Sequence, residues 1–295
     1  MESQQRQFLI GLPAHGKTTF LAALWYVLST KEVATSLEFA RLSSENKHLN
    51  KIADLWANVQ PVKRTLLGEE KYVSMFLRVP GSCHETEIIF PDLSGESFVD
   101  QWKNRQMKPE HAELIREAVG GLLLIHPDEV MEDDWIPDIL PIADSIIHDE
   151  EPGSSTSVLG LSGPLDTPEN PTTLGWDPYK TPTQIQLVDL LQFVAELNER
   201  RPIRLAVVVS AWDRVVDTKS PDLWLERYVP LLWQYLKSNP ETFASEFYGV
   251  SAQGGCLKDA DQLRKIPCPS HRIRVVRSGD PESSDITAPA RWVMG

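Results

Sequence analysis

Apolar residues recur along this chain with two alternating periods, and the alternation predicts a layered α/β protein. Phe8-Leu9-Ile10 is a short apolar run ending at Gly11, the pattern of a buried strand. From Thr18 to Leu28 the spacing turns helical, with Phe20, Leu21, Ala23, Leu24 and Leu28 on the apolar side. Ser36–Leu42 reads as a strand, and Asn46–Val59 as a helix with Leu49, Ile52, Ala53 and Trp56 on one face. Tyr72–Val79 and Glu87–Phe90 are strands joined by the turn signal Pro80-Gly81-Ser82, a hairpin at the sheet edge. Then follow a helix over His111–Val119, a strand over Gly120–His126, a helix over Gln184–Leu197 and a strand over Ile203–Ser210. Leu223–Leu236 reads as one helix rich in Trp and Leu, Glu246–Val250 and Arg272–Val276 as late strands, and Ile286–Val293 as a closing helix. The expected fold is a mainly parallel sheet with one antiparallel edge strand and helices on both faces.

Glu150–Thr183 departs from this pattern. It is rich in Pro, Gly, Ser and Thr and shows little periodicity. Strand signals resume after it, so residues 1–295 are expected to form one elaborated domain with an insertion at about 150–183. The net charge of −13 argues against duplex nucleic acid or an anionic membrane as partner. Cys83, Cys256 and Cys268 are too sparse for a disulfide framework or a metal knuckle, which points to a reducing cytoplasm. No apolar run approaches the roughly 20 residues that span a bilayer, and the polar start of the chain lacks the order of a signal peptide.

The chemistry begins at Gly11-Leu12-Pro13-Ala14-His15-Gly16-Lys17-Thr18, a full match to G-x-x-x-x-G-K-[ST] between a strand and a helix. Glycines let backbone wrap a phosphate, and the N–H groups around Ala14, His15, Gly16 and Thr19 point at the anion with the helix N-terminus behind them. Lys17 adds a point charge on the outer phosphates, and the Thr18 hydroxyl suits Mg²⁺. Pro13 removes one N–H donor from the loop. His15 precedes Gly16 as in the HGKTT run of translation-factor GTPases, and as a loop side chain it is expected to face solvent.

A carboxylate at the end of a neighbouring strand completes such a metal site, and Asp92 supplies one. Asp92-Leu93-Ser94-Gly95 reads D-x-x-G, with the Gly95 N–H set to sense the γ-phosphate. Glu96 follows, where Ras-type enzymes carry a water-positioning Gln; it is either a water-orienting carboxylate or a solvated surface group. The first-switch threonine that would hold Mg²⁺ and γ-phosphate is assigned to Thr65, with Thr30 and Thr35 as rivals.

Ala206–Asp213 is an apolar strand ending in Ser-Ala-Trp-Asp, where Ras-like GTPases place N-K-x-D. Asp213 is matched to the carboxylate that accepts two guanine N–H groups, while Ser210 and Ala211 replace the Asn and Lys. Ser251-Ala252-Gln253 resembles the S-A-K loop that reaches guanine O6, with Gln253 in place of Lys.

In their order these motifs resemble the TRAFAC class of Ras-like P-loop GTPases. The runs GLPAHGKTTFLAALW, FPDLSGE, VVVSAWD and YGVSAQGG, with DITAPARWVMG at the end, are most similar to the bacterial double-GTPase family of predicted conflict and defence systems. The resemblance implies GTP hydrolysis, GTP/GDP and Mg²⁺ as cofactors, and a protein partner, either an effector or a second GTPase; lacking a clear water-positioning Gln, the chain alone is expected to hydrolyse GTP slowly. The tryptophans around Trp224 and Trp233 are either part of that partner surface or plain core. Two other classes share the scaffold: an ATP-binding or non-hydrolysing interaction module, and a phosphotransferase. The segment Glu150–Thr183 has no Arg and only Lys180, a poor lid for the latter.

Overall fold

The computed structural model describes residues 5–42, 47–62, 71–92, 101–131 and 181–295. Its centre is an eight-stranded sheet. The strands are β1 (Gln5–Ile10), β2 (Glu38–Leu42), β3 (Lys71–Arg78), β4 (Glu85–Asp92), β5 (Gly120–Ile125), β6 (Ile203–Ser210), β7 (Phe243–Ser251) and β8 (Arg274–Arg277). They lie in the order β2-β3-β4-β1-β5-β6-β7-β8. The middle five strands pair parallel. The β2-β3-β4 edge is antiparallel, and β8 adds a second antiparallel edge beside β7.

Period-two alternation sorts the strand residues onto two cores. Leu9, Leu122, Leu124, Ala206, Val208 and Val250 face one layer, formed by α1 (Lys17–Thr30), α2 (Lys47–Ala57) and the short closing helix Ala288–Met294. Phe8, Ile10, Leu123, Ile125, Val207 and Val209 face the other, which holds α3 (Pro109–Glu117), α4 (Thr183–Leu197), α5 (Pro221–Tyr228) and α6 (Pro230–Ser238). β5 is apolar throughout, and β6 is apolar from Leu205 to Val209, because both of their faces are covered.

The single helix expected over Leu223–Leu236 is two helices that break at Val229-Pro230. Proline has no N–H for the ladder and clashes with the preceding turn, so α5 stops and Pro230 opens α6 at a first-turn position where it is tolerated. Trp224 is buried in the core, and Trp233 packs partly against it while its Nε1–H donates to Asp222 at 3.0 Å.

All parallel strands present their C-terminal ends on one side, where β1, β5, β6 and β7 release their loops. In open α/β sheets this is the side on which ligands bind.

Candidate functional site

The phosphate loop leaves β1 at Ile10 and enters α1 at Lys17. Two residues take left-handed backbone within it, Ala14 at φ 61° and Gly16 at φ 84°. For Gly16 this costs nothing; for Ala14 it stores about 1 kcal/mol of strain, the kind of local cost that collects at binding loops. No side chain caps the N-terminus of α1, and its first turn carries no acidic residue. The N–H groups there are therefore left to an external anion.

Lys17 folds back over the loop, its ammonium donating to the carbonyls of Gly11 at 2.6 Å and Leu12 at 2.8 Å. Leu124 of β5 anchors the loop from below. Its carbonyl lies 2.8 Å from where a Cβ on Gly11 would stand, so no larger residue fits at that position.

The same carbonyl accepts a hydrogen bond from His15 Nδ1 at 2.8 Å. The expectation that His15 faces solvent is overturned: it is 1% exposed. A backbone carbonyl only accepts, so Nδ1 carries the proton of a neutral ring. Burial, with lesser repulsion from Lys17 and His126, lowers its pKa to about 3, and the bond to Leu124 offsets only part of that shift. His15 thus pins the loop to the sheet through its side chain.

The base-reading candidates come from β6 and β7. Ser210 ends β6, 8% exposed, and its hydroxyl donates to Ile125 at 3.2 Å. Its Oγ also stands 3.1 Å from where a Gly16 Cβ would lie, so the end of β6 presses on the phosphate loop. Ala211 then adopts φ 45°, and a one-turn 3-10 helix, Trp212–Arg214, follows. Trp212 lies flat on Gly249 of β7, where a Cβ would meet the indole ring at 2.2 Å. That packing fixes the turn bearing Asp213. Ser251 donates its hydroxyl to Asp213 Oδ1 in a short bond and accepts from the Gly254 N–H at 3.1 Å.

The Ser251–Gly254 loop is held from behind. Trp56 Nε1 donates to the Ala252 carbonyl at 3.0 Å. The Arg272 guanidinium stacks over the Trp56 ring at 4.7 Å and donates to the Trp56 carbonyl at 3.1 Å. Gly254 turns at φ 82° against the backbone of Arg272.

These loops enclose one pocket of about 290 Å³. Gly16 of the phosphate loop, Thr19 of the first turn of α1, Asp213 and Ala252 line the same cavity. Sequence reasoning missed several of its walls: Gln60, His126, Arg214, Cys256 and Leu257 also line it. Arg214 follows Asp213 directly in the chain, while the other four sit in no motif and only the fold brings them there. Arg214 is paired with Asp128, and His126 Nδ1 accepts from the Asp128 N–H at 3.2 Å, so the loop after β5 is tied to the Asp213 turn. Burial lowers the His126 pKa.

Asp92 closes β4, the parallel neighbour of β1. The two strands pair in the parallel register Gln7↔Ile88, so β1 and β4 end on the same side of the sheet. Thr18 stands on the first turn of α1. A hydroxyl and a carboxylate are oxygen donors of the kind a hard cation takes together with phosphate, so these residue types fit Mg²⁺. Among the described residues no group of three or more His, Cys, Asp or Glu could hold a metal by itself.

Thr65, Gly95 and Glu96 lie outside the described residues. The rival Thr30 ends α1, roughly 20 Å from the loop at 1.5 Å rise per residue, with its hydroxyl on the Tyr26 carbonyl. Thr35 adjoins Ser36, whose N–H and hydroxyl bond Asp285 near the closing helix. Neither rival is near the phosphate loop.

The family profile described as Double-GTPase 1 matches residues 8–293. Comparison with curated proteins finds no match. No helix among the described residues is long and apolar enough to cross a membrane.

Proposed function

The chain belongs to the Double-GTPase 1 family, and on that premise we propose that it is a Mg²⁺-dependent GTP-binding switch that hydrolyses GTP slowly. One observation carries the reading: the phosphate-binding residues Gly16 and Thr19 share a pocket with Asp213 and Ala252.

In this reading the loop N–H groups receive the β-phosphate, and Lys17 exchanges its two carbonyl partners for β,γ-phosphoryl oxygens. Thr18, Asp92 and Thr65 would hold Mg²⁺, which when bound neutralises charge growing across the β,γ-bridge. Asp213 accepts the two guanine N–H groups while Ser251 holds its other side, and the Ala252 N–H donates to O6. Glu96 orients the attacking water, and the Gly95 N–H reports the γ-phosphate to the loop that follows Asp92. A carboxylate in place of a glutamine repels the γ-phosphate, so turnover by the chain alone is slow. A protein partner, effector or second GTPase, reads the switch in the cytoplasm, and the family resemblance suggests a role in bacterial conflict or defence. The acidic surface fits a protein partner better than duplex nucleic acid or an anionic membrane.

Titration calorimetry with GTP, GDP and ATP, with and without Mg²⁺, tests this proposal. GTP and GDP should bind at least tenfold more tightly than ATP, and Asp213→Ala should remove that preference. Equal affinity for ATP in the unaltered chain would dismiss the guanine reading and leave an adenine-nucleotide module. Transfer of the γ-phosphate to a small acceptor instead of water would make the protein a phosphotransferase.

A further inference from the structure

His126 is the first residue after β5, and none of the nucleotide motifs includes it. It stands where the two halves of the pocket meet. The residue before it, Ile125, accepts the Ser210 hydroxyl at 3.2 Å, and the same Ser210 oxygen is 3.1 Å from where a Gly16 Cβ would lie. Two residues after it, Asp128 pairs with Arg214, the chain neighbour of Asp213. The imidazole lines the cavity together with Gly16, Ser210 and Asp213.

The two ring nitrogens differ. Nδ1 accepts the Asp128 N–H at 3.2 Å and so caps the one-turn 3-10 helix Pro127–Glu129. A ring nitrogen that accepts from an amide carries no proton, so the proton of the neutral ring sits on Nε2. Burial is the largest influence on this ring, aided by Arg214 and opposed by Asp128, Glu129 and Asp213, and the pKa lies below its ordinary value. The ring is therefore neutral at physiological pH. Among the described residues no hydrogen bond engages Nε2. The result is a neutral donor in the cavity wall, held in one tautomer by its own loop.

A nucleotide with its outer phosphates on the phosphate loop and its base at Asp213 must run its sugar and α-phosphate across this junction. We propose that His126 is a nucleotide-binding residue whose Nε2–H donates to an oxygen of that sugar–α-phosphate link. A neutral donor adds direction without charge, so His126 orients the link while Lys17 grips the outer phosphates. The contact rests on the nucleotide reading of this pocket but not on which purine is bound, because GTP and ATP share the link.

Two near-isosteric substitutions separate the nitrogens. In His126→Asn the amide oxygen takes the place of Nδ1, so the cap stays and the Nε2 donor is lost. In His126→Gln the amide nitrogen reaches the place of Nε2, so a donor stays and the cap is lost. Titration calorimetry of the full chain with GTP and Mg²⁺ should show affinity about fivefold to tenfold lower in His126→Asn, the worth of one neutral hydrogen bond, and a smaller loss in His126→Gln. A ring that served only as a cap would give the reverse order. Affinity in His126→Gln equal to or below that in His126→Asn would overturn the contact. The analogue 2′,3′-dideoxy-GTP identifies the acceptor: the loss in His126→Asn vanishes if the acceptor is a sugar hydroxyl and persists if it is an α-phosphate oxygen, and either supports the contact. ATP bound as tightly as GTP would end the guanine reading and leave this contact standing, whereas no nucleotide bound by the unaltered chain would end both. Urea midpoints check that the variants fold. If one does not, the ¹⁵N signals of His126 in the unaltered chain decide: the Nε2 signal should move when GTP is added, and an unmoved signal would overturn the contact.

Discussion

On the proposed reading the pocket has a phosphate end and a base end that meet at Gly16, and the two are built by different means. At the phosphate end the working groups are backbone N–H groups and one ammonium. Their placement depends on left-handed turns at Ala14 and Gly16 and on a loop pressed against Leu124. At the base end the working groups are one carboxylate and one backbone loop, placed by side chains from distant parts of the chain: Trp56, Trp212, Ser251 and Arg272. A backbone device tolerates almost no change of residue type, so its motif is complete. A side-chain device is held by many contacts and tolerates exchange, as with Ser210 and Ala211 in place of Asn and Lys. The lesson is that, on the proposed reading, exchange of Asn and Lys for Ser210 and Ala211 does not by itself argue against base recognition by Asp213.

The largest expected effect tests which end supplies affinity. Lys17→Ala removes the only side-chain charge of the loop, and a charge-assisted bond to phosphate is worth about 1.5–3 kcal/mol. GTP affinity measured by calorimetry should fall about 100-fold. A greater loss of GTP affinity from Asp213→Ala would reverse the division.

Next in size is Gly249→Ala, which strikes the base end through its scaffold. The added Cβ would stand 2.2 Å from the Trp212 ring. Overpacking of this kind costs about 2 kcal/mol, measurable as a lower urea midpoint. Trp212 is joined to Asp213, so its displacement should also blunt the preference for GTP over ATP. Loss of stability with that preference intact would show that the turn is not held by this packing.

How far each end was legible follows from the same contrast. The sheet and the flanking helices follow from periodicity, and β1, the loop and α1 follow from local sequence. The helix break at Pro230 was also there to be seen, since proline cannot continue the ladder, but the apolar spacing runs unbroken across it. The burial of His15 was not legible: its partner is the Leu124 carbonyl, 109 residues away. His126 and Leu257 belong to no motif, and they join Asp213 only because β5, β6 and β7 lie side by side. Local chemistry is written locally, whereas the walls of a pocket depend on register and crossover.

His15 gives the phosphate end a signature in pH. In the unfolded chain a histidine takes a proton near 6.5, whereas in the fold His15 stays neutral down to about 3. Between those values the unfolded state binds more protons, so stability rises with pH and is lost as pH falls below 6.5. The slope from this one group approaches about 1.4 kcal/mol per pH unit. His126 is lowered for the same reason and acts with the same sign, but it is common to both proteins in a comparison with His15→Gln. Urea unfolding at pH 7, 6 and 5 should show a shallower pH dependence in His15→Gln. Equal slopes would mean that the ring is not held neutral beneath the loop.

The smallest effect is the sharpest test of separability. Ser251→Ala deletes the hydroxyl that donates to Asp213 and accepts from the Gly254 N–H. It leaves the Ala252 loop clamped by Trp56 and Arg272. Two hydrogen bonds of roughly 1 kcal/mol each are lost, and only the one to Asp213 bears on the base. The preference for GTP over ATP should therefore fall about threefold to tenfold. Affinity for inorganic tripolyphosphate, which has no base, should not change. If tripolyphosphate binding falls in step with GTP, the two ends are one mechanical unit joined through Ser210 and Gly16, and the division between them fails. If only GTP binding falls, base recognition is a separable layer on a phosphate grip that works without it.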